Sequence, residues 1–550
     1  MPNRARPQFS LEVFRHLFAS VADEMGVTVQ RSAYSANIKE RRDFSCAVFD
    51  RAGRMVAQAA HVPVHLGAMP LAVRSAIDLT TRDAPRPGDV VIVNDPYLGG
   101  THLPDITTVS PVFVGEAADA PWGWVATRAH HADVGGLSPG SMPMSTELFH
   151  EGLIIPPLKL VAGGVLDRQL IEIICRNVRT PHERRGDLDA QLASHRVGEH
   201  RLVEFARRYG ADELHRMARA LLTYTERLTR ARLRAIPRGV YRFTDFLDDD
   251  GVGGAPVPVR VAVTARDGRL TVDFAGTGRA VPGSLNAPEA VARSAVIYVV
   301  RCLIGADVPA NDGAFRLLDI RVPRGCVLNP LPPHAVAAGN VETSQRVVDA
   351  LWGALAQALP QVPAASQGTM NNLIVGGRRP STGDWFTYYE TLAGGAGAGP
   401  QAAGASAIQV GMTNTLNTPV EALEFTDPLR VWRYAIRTGS GGRGRNRGGD
   451  GLRREIELLT PATLTLVTER RRRRPWGLRD GGAGQAGRNA VRQHGRWRRV
   501  LGKLTLELTA GDRVRVDTPG GGGWGAPTLG RTGETAEPAR RPSERRRGPR

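Results

Sequence analysis

Asp89-Val-Val-Ile-Val-Asn-Asp-Pro-Tyr-Leu-Gly-Gly-Thr-His-Leu-Pro-Asp105 passes from a continuous apolar run into a Gly-rich turn that carries a histidine and carboxylates. Ala129-His-His-Ala-Asp-Val-Gly-Gly136 repeats the pattern, since residues 123–129 read as a strand and His130, His131 and Asp133 crowd the turn behind it. Short apolar runs bounded by turn residues are strands. Loops at strand ends are where a rigid sheet delivers binding and catalytic groups. The two stretches therefore mark residues 1–165 as a β-rich region with His/Asp loops and put the candidate site at its strand ends.

Working outward, residues 8–25 place Leu11, Phe14, Leu17, Phe18 and Val21 at helical spacing behind Ser10, a good N-cap. Phe44-Ser-Cys-Ala-Val-Phe-Asp50 and Met55-Val-Ala-Gln58 read as two strands around the Gly53 turn. Residues 166–238 change to helical periodicity with frequent charged pairs, giving a helical middle segment. Residues 239–450 return to a mixed α/β, Gly-rich core. Asp267-Gly268 turns a hairpin there, and residues 288–304 and 344–359 read as buried helices because they are apolar around most of the wheel. Short alternating strands over 451–530 suggest a small β domain, and residues 531–550 read as a disordered basic tail. The expected fold is α+β and multi-domain.

The chain has 550 residues, enough for roughly two to four domains with ample core. Cys46, Cys175, Cys302 and Cys326 are scattered and form no CxxC pair, so they read as reduced thiols of a cytoplasmic protein. No stretch reaches the roughly 20 apolar residues that span a bilayer, so no membrane association is expected. The net charge of +18 would suit nucleic acid. Much of the excess, however, is Arg in Gly-rich C-terminal segments, and aromatic residues are 6%, without a run of stacking residues. Nucleic acid is therefore not an expected partner.

Candidate chemistry concentrates in the two loops. In a turn, the spacing of His102 and Asp105 brings both side chains to one face. Strand alternation would put His131 and Asp133 on one face and His130 on the other. A mixed imidazole and carboxylate set suits a divalent Mn, Fe or Zn ion better than Ca; the plainer alternative is that these groups bind loop backbone. His61-Val-Pro-Val-His65 resembles an HxxxH motif, but as a strand its rings would stand roughly 13 Å apart, too far for one ion. Glu40-Arg-Arg-Asp43 could bring a carboxylate to the loops. Gly439-Ser-Gly-Gly-Arg-Gly444 matches a dinucleotide fingerprint, yet the Arg/Gly-rich continuation cannot open the helix that a pyrophosphate needs. No GxxxxGK[ST] loop occurs.

Ile38-Lys-Glu-Arg-Arg-Asp-Phe-Ser45, His61-Val-Pro-Val-His-Leu-Gly-Ala-Met69, Asn94 to Asp105, His130 to Ser141, Asn177-Val-Arg-Thr-Pro181, Gly339-Asn-Val-Glu-Thr-Ser344 and Thr413 to Glu421 occur in order along the chain. In these motifs the sequence resembles the hydantoinase B/oxoprolinase family. The resemblance implies a B-type subunit of a hetero-oligomer whose A-type partner binds ATP and phosphorylates an amide or carbonyl oxygen. It implies a cyclic-amide hydrolase acting on hydantoin, N-methylhydantoin or 5-oxoproline. A ketone carboxylase subunit of the acetone/acetophenone type is the alternative, and a noncatalytic assembly subunit the second alternative. The compact length favours hydrolysis. On the same resemblance Asp105, His130, His131 and Asp133 are the expected catalytic groups, and His102, Asp105, His131 and Glu40 the expected metal ligands. The basic run Arg470 to Arg474 and the tail from Arg531 exceed what the motifs require and receive no function.

Overall fold

The computed structural model describes residues 10–59, 62–79, 83–115 and 119–527. His61 and the expected tail over 531–550 lie outside these residues. The fold is α+β and multi-domain, as expected. Among the described residues no helix is long and apolar enough to cross a membrane.

Helix α1 (Leu11–Ser32) starts at Ser10, whose Oγ accepts from the Glu12 amide. A second, one-turn helix α2 (Ala36–Lys39) precedes strands β1 (Phe44–Asp50) and β2 (Met55–Ala59), and helix α3 (His65–Leu79) follows. Strands β3 (Val90–Val93), β4 (Asp105–Val112), β5 (Gly123–His130), β6 (Leu158–Ala162) and β7 (Val165–Leu166) complete a seven-stranded sheet of order β2-β1-β5-β4-β3-β6-β7. Expecting strand geometry at His65 was wrong. The Val62 and Pro63 carbonyls accept from the His65 and Leu66 amides, so the chain turns after Pro63 and enters α3.

The helical segment comprises α4 (Arg168–Arg176), α5 (Pro181–Tyr209) and α6 (Ala211–Leu233). It packs on the first sheet. Phe14, Phe18 and Met25 of α1 share one core with Val125 of β5 and Leu202 of α5. Strands β4 and β5 are thereby buried on both faces, which explains why they read as almost continuous apolar and Thr runs.

Strands β8 (Gly239–Leu247), β9 (Val257–Arg266) and β10 (Arg269–Asp273) lead through helices α7 (Glu289–Ile304) and α8 (Asp312–Phe315) to β11 (Leu318–Arg321), forming the four-stranded sheet β11-β10-β9-β8. A π-helical turn at Gly339–Thr343 opens helix α9 (Ser344–Leu355), which packs on β8 and β9. Strands β12 (Asn372–Arg378) and β13 (Trp385–Thr391) precede helix α10 (Val420–Thr426) and strands β14 (Leu429–Arg437), β15 (Gly451–Leu458), β16 (Ala462–Val467), β17 (Arg488–Gln493), β18 (Arg496–Val500), β19 (Lys503–Leu508) and β20 (Arg513–Asp517). They build two sheets, β13-β12-β16-β19 and β14-β15-β20-β17-β18, which share the core of Leu373, Phe386, Ile456, Leu464 and Val514. Strands from both sides of residue 450 pair in both sheets.

Residues 395–398, 441–449, 476–484 and 519–523 form neither helix nor sheet, yet they are joined backbone to backbone. Gly521 donates to the Gly449 carbonyl, Gly522 to Ala365 and Gly523 to Gly482, each at 2.8–2.9 Å. A Cβ on Gly521 would overlap the Ala396 carbonyl oxygen. Such close approach explains Gly441, Gly442 and Gly444, while Gly439 takes a positive φ of 85. The Arg run is internal at its start. Arg470 is buried and pairs with Asp245 (2.8 Å) and Asp349, while Arg346 reaches Asp349 (3.1 Å) and Glu469 (3.4 Å).

Candidate metal and catalytic site

Strand β4 begins at Asp105, β5 ends at His130, and the antiparallel register pairs these two residues directly. Opposed residues of a ladder project to the same face, so register alone brings the carboxylate beside the imidazole. The turn ahead of β4 supplies the third group. Asp95 caps the 3-10 turn Pro96–Leu98 by accepting from the Tyr97 amide, and Gly99, at φ 95, takes the left-handed conformation that lets the chain fold back. His102 then lies over Asp105.

His102 Nε2, Asp105 Oδ1 and His130 Nδ1 stand 3.1 Å from one another on all three sides. All three residues are at most 3% exposed. Two ligand atoms roughly 2.1 Å from one ion and at right angles lie about 3.0 Å apart, so this triangle has the dimensions of one face of a coordination shell. The donor set, two imidazoles and a carboxylate, suits a divalent transition ion. His102 Nδ1 lies 3.3 Å from the Ala337 carbonyl oxygen, the contact that fixes a ligating imidazole with Nε2 toward the ion.

Further groups surround the triangle. His65 Nδ1 bonds Ser45 Oγ at 3.0 Å, and its Nε2 lies 3.6 Å from Asp105 Oδ2, to which Thr101 also donates. The Tyr389 ring stacks on His130, with centroids 4.9 Å apart. The Arg41 guanidinium lies 4.5 Å from the Tyr389 ring centre and donates to the Tyr389 carbonyl (2.6 Å) and Asn37 Oδ1 (2.5 Å). Asn37 in turn donates to the His130 carbonyl at 2.7 Å. The Tyr389 hydroxyl donates to Asn372 Oδ1 (3.0 Å), and Asn372 donates to Glu342 Oε1 (2.8 Å). Tyr389, Arg41, Asn37 and Ala132 also line a cavity of about 370 Å³.

The electrostatics follow from burial in competition with nearby carboxylates, Asp105 first among them for His102. Burial disfavours charge on His102, but the Asp105 carboxylate outweighs it and raises the pKa. Burial pushes Asp105 upward, and the imidazoles of His102, His130 and His65 reverse this to hold it well below the usual carboxylate range. His130 is lowered by burial. Asp105 is thereby held as a carboxylate between the two imidazoles, the charge state that a divalent ion needs of it.

Of the sequence-expected residues, the fold gathers His102, Asp105 and His130. His131 is a correction: it points to the opposite face, where Nε2 bonds Gln191 Oε1 of α5 at 2.9 Å, and burial pushes its pKa down to about 4. Strand alternation separated the two histidines correctly, but only the register shows which one faces Asp105. Asp133 is not in the cluster either. It accepts from the amides of Gly135, Gly140 and Arg179 and pairs with the Arg179 guanidinium at 3.0 Å, which organises the loop. Glu40, expected as a ligand, is the C-cap of one-turn α2 and lines the 370 Å³ cavity rather than joining the triangle.

Sequence reasoning missed Tyr389 and Glu151. Glu151 accepts from the amides of Val336 and Ala337 (both 2.9 Å) and from Ser145 (2.7 Å), so it clamps the segment whose carbonyl meets His102. Burial pushes its pKa up to about 7. Neither residue belongs to a short motif; the one available signal at Tyr389 is Glu390, a carboxylate inside an otherwise uncharged strand.

A family model described as Hydantoinase B/oxoprolinase matches residues 8–527. 5-Oxoprolinase 1 of Arabidopsis thaliana is 39% identical over 545 residues, covering 94% of this chain and 42% of that protein. The chain thus spans about two-fifths of that relative's length. Among solved structures, an ATP-dependent caprolactamase from Pseudomonas jessenii superposes with a TM-score of 0.87 at 27% identity, covering 96% of this chain and 92% of that one. A nucleotide-free acetone carboxylase superposes with a TM-score of 0.86 at 22% identity, covering 94% and 75%, a likeness of fold.

Proposed function

Since the chain belongs to the hydantoinase B/oxoprolinase family, we propose that it is the ring-opening subunit of an ATP-dependent hydrolase of cyclic amides, acting with an ATP-binding A-type subunit in a hetero-oligomer. The observation that carries this reading is the buried His102–Asp105–His130 triangle in a chain that has no phosphate-binding loop of the GxxxxGK[ST] kind. Hydrolysis is favoured over carboxylation because the 39% and 27% identical relatives, an oxoprolinase and a caprolactamase, are both named for cyclic amides.

His102 Nε2, the Asp105 carboxylate and His130 Nδ1 would hold a divalent ion, which supplies polarisation of a carbonyl oxygen or a lowered pKa for water. The protein's own groups prepare that chemistry. The Ala337 carbonyl orients His102, and Ser45 holds His65 by its Nδ1 with Nε2 turned to Asp105. Asp105 is the one carboxylate of the triangle, and a hydrogen bond from Thr101 fixes its Oδ2 while Oδ1 faces His102 and His130. The substrate ring enters the 370 Å³ cavity, a volume within the range of small-molecule sites. Tyr389 forms the wall between that cavity and His130, and Arg41 holds Tyr389 in place.

The test is phosphate release by this chain copurified with its A-type subunit, given hydantoin, 5-oxoproline, caprolactam or the ketone acetophenone with and without bicarbonate. Release with ring-opened product and no need for bicarbonate is expected, and Asp105→Asn should abolish product formation. Release only with a ketone plus bicarbonate would replace hydrolysis by carboxylation. Full activity in the Asp105→Asn complex would reduce the chain to an assembly role.

A further inference from the structure

A second cavity, of about 490 Å³, is lined by six cations, Arg471, Arg472, Arg488, Arg498, Arg499 and Lys503, against two acids, Asp248 and Asp249. Both acids are already committed. Asp248 accepts from the backbone amides of Arg471, Arg472 and Arg473 at 2.6–3.1 Å. Asp249 accepts from Lys503 at 2.9 Å, and Lys503 gives a second bond to buried Glu469.

The cations divide into a fixed floor and a free rim. Buried Arg471 is pinned by Asn371 Oδ1 (2.7 Å), Asn489 Oδ1 (2.8 Å) and the Glu469 carbonyl (2.6 Å). Around it, exposed Arg488 and Arg499 form no ion pair among the described residues, and Arg498 bonds only the Gln493 side-chain oxygen. Arg488 and Arg499 come from separate strands, the start of β17 and the end of β18; the register Ala490↔Arg499 puts both on one face of the sheet, and both line the concavity. Each can take a phosphate group by two parallel N–H bonds. Opposite them, Val500, Leu501, Leu504 and Leu506 make an apolar wall.

We propose that this cavity binds a small molecule carrying two adjacent phosphate groups, with the diphosphate at Arg488 and Arg499 and any organic part against the leucine wall. Cations spread over a flat face would suit an acidic protein segment instead; here they meet in a concavity of small-ligand size. Arg471 of the basic run thereby acquires a role, as the floor of an anion site.

Calorimetric titration of the full-length chain, in EDTA at fixed ionic strength, tests this with sodium pyrophosphate, orthophosphate and a deca-glutamate peptide. Saturable pyrophosphate binding, at least tenfold tighter than orthophosphate and weakened at least tenfold by Arg488→Gln with Arg499→Gln, is expected. Both replaced side chains are exposed and unpaired, so an unaltered unfolding curve should accompany the loss. Absent pyrophosphate binding, or equal affinity in the double variant, would overturn the proposal. Binding of the peptide alone, dependent on the same two arginines, would make the surface a protein dock and overturn it as well.

Discussion

His195 lies on α5 against the sheet that carries Asp105, 3% exposed, with Nε2 bonded to Thr108 Oγ1 at 2.7 Å. Burial alone pushes its pKa down from 6.5 to about 3. Above pH 6.5 the imidazole is neutral in both the folded and the unfolded chain and adds no pH dependence. Below 6.5 the unfolded chain takes up a proton that the folded chain refuses, so stability is lost progressively as pH falls toward 3. The slope approaches about 1.4 kcal/mol per pH unit, and the loss between pH 8 and pH 4.5 is about 3 kcal/mol. That figure holds for any folded pKa of roughly 4 or below, because at pH 4.5 the folded imidazole is then still mostly neutral. His195→Gln keeps a hydrogen-bonding partner for Thr108 and removes the titration. Hydrogen exchange of the α5 amides, corrected for the intrinsic pH dependence of exchange, should show the native opening free energy falling by this amount more than that of the variant. Parallel declines in the two proteins would refute the argument that this histidine is held neutral by burial.

Three other outcomes follow from the geometry. Metal content of the purified protein, measured by plasma mass spectrometry, should fall at least tenfold in His130→Ala and stay near wild type in His131→Ala, since only His130 faces Asp105. Gly521→Ala should cost about 3 kcal/mol or abolish soluble expression, because its Cβ meets the Ala396 carbonyl, whereas Gly399→Ala, with open space around it, should unfold like wild type in urea. Arg454 and Glu390 form a pair in which both side chains are fully buried. Arg454→Met should therefore cost about 3–5 kcal/mol, and adding Glu390→Gln should recover much of it, as read from a denaturation double-mutant cycle.

The elements legible in the sequence were those whose own residues set their period. Phe14, Phe18 and Val21 announced α1, Asp267-Gly268 the β9–β10 turn, and the apolar wheels of residues 288–304 and 344–359 became α7 and α9. What stayed hidden was pairing between distant strands. β16 and β19 join β12 across more than sixty residues of other structure, so a local reading at residue 451 could not see that they complete an earlier sheet. The site divides in the same way. His102 and Asp105 were readable together because a turn links them, while the choice between His130 and His131 depended on the β4–β5 register, and Tyr389 arrives from far along the chain. At His65 the strand reading failed because a turn over Val62–Val64 leads the chain directly into α3.

The interleaved glycine segments near the C-terminal sheets constrain how this protein can change over evolutionary time. A side-chain core can absorb a substitution because a neighbour may shrink, turn or be replaced in compensation. Where one main chain rests on another, no neighbouring side chain exists to adjust, so an altered residue at Gly521 or Gly448 leaves a second mutation nothing to repair. Selection for suppressors of Gly521→Ala should return true revertants at the glycine codon rather than substitutions elsewhere.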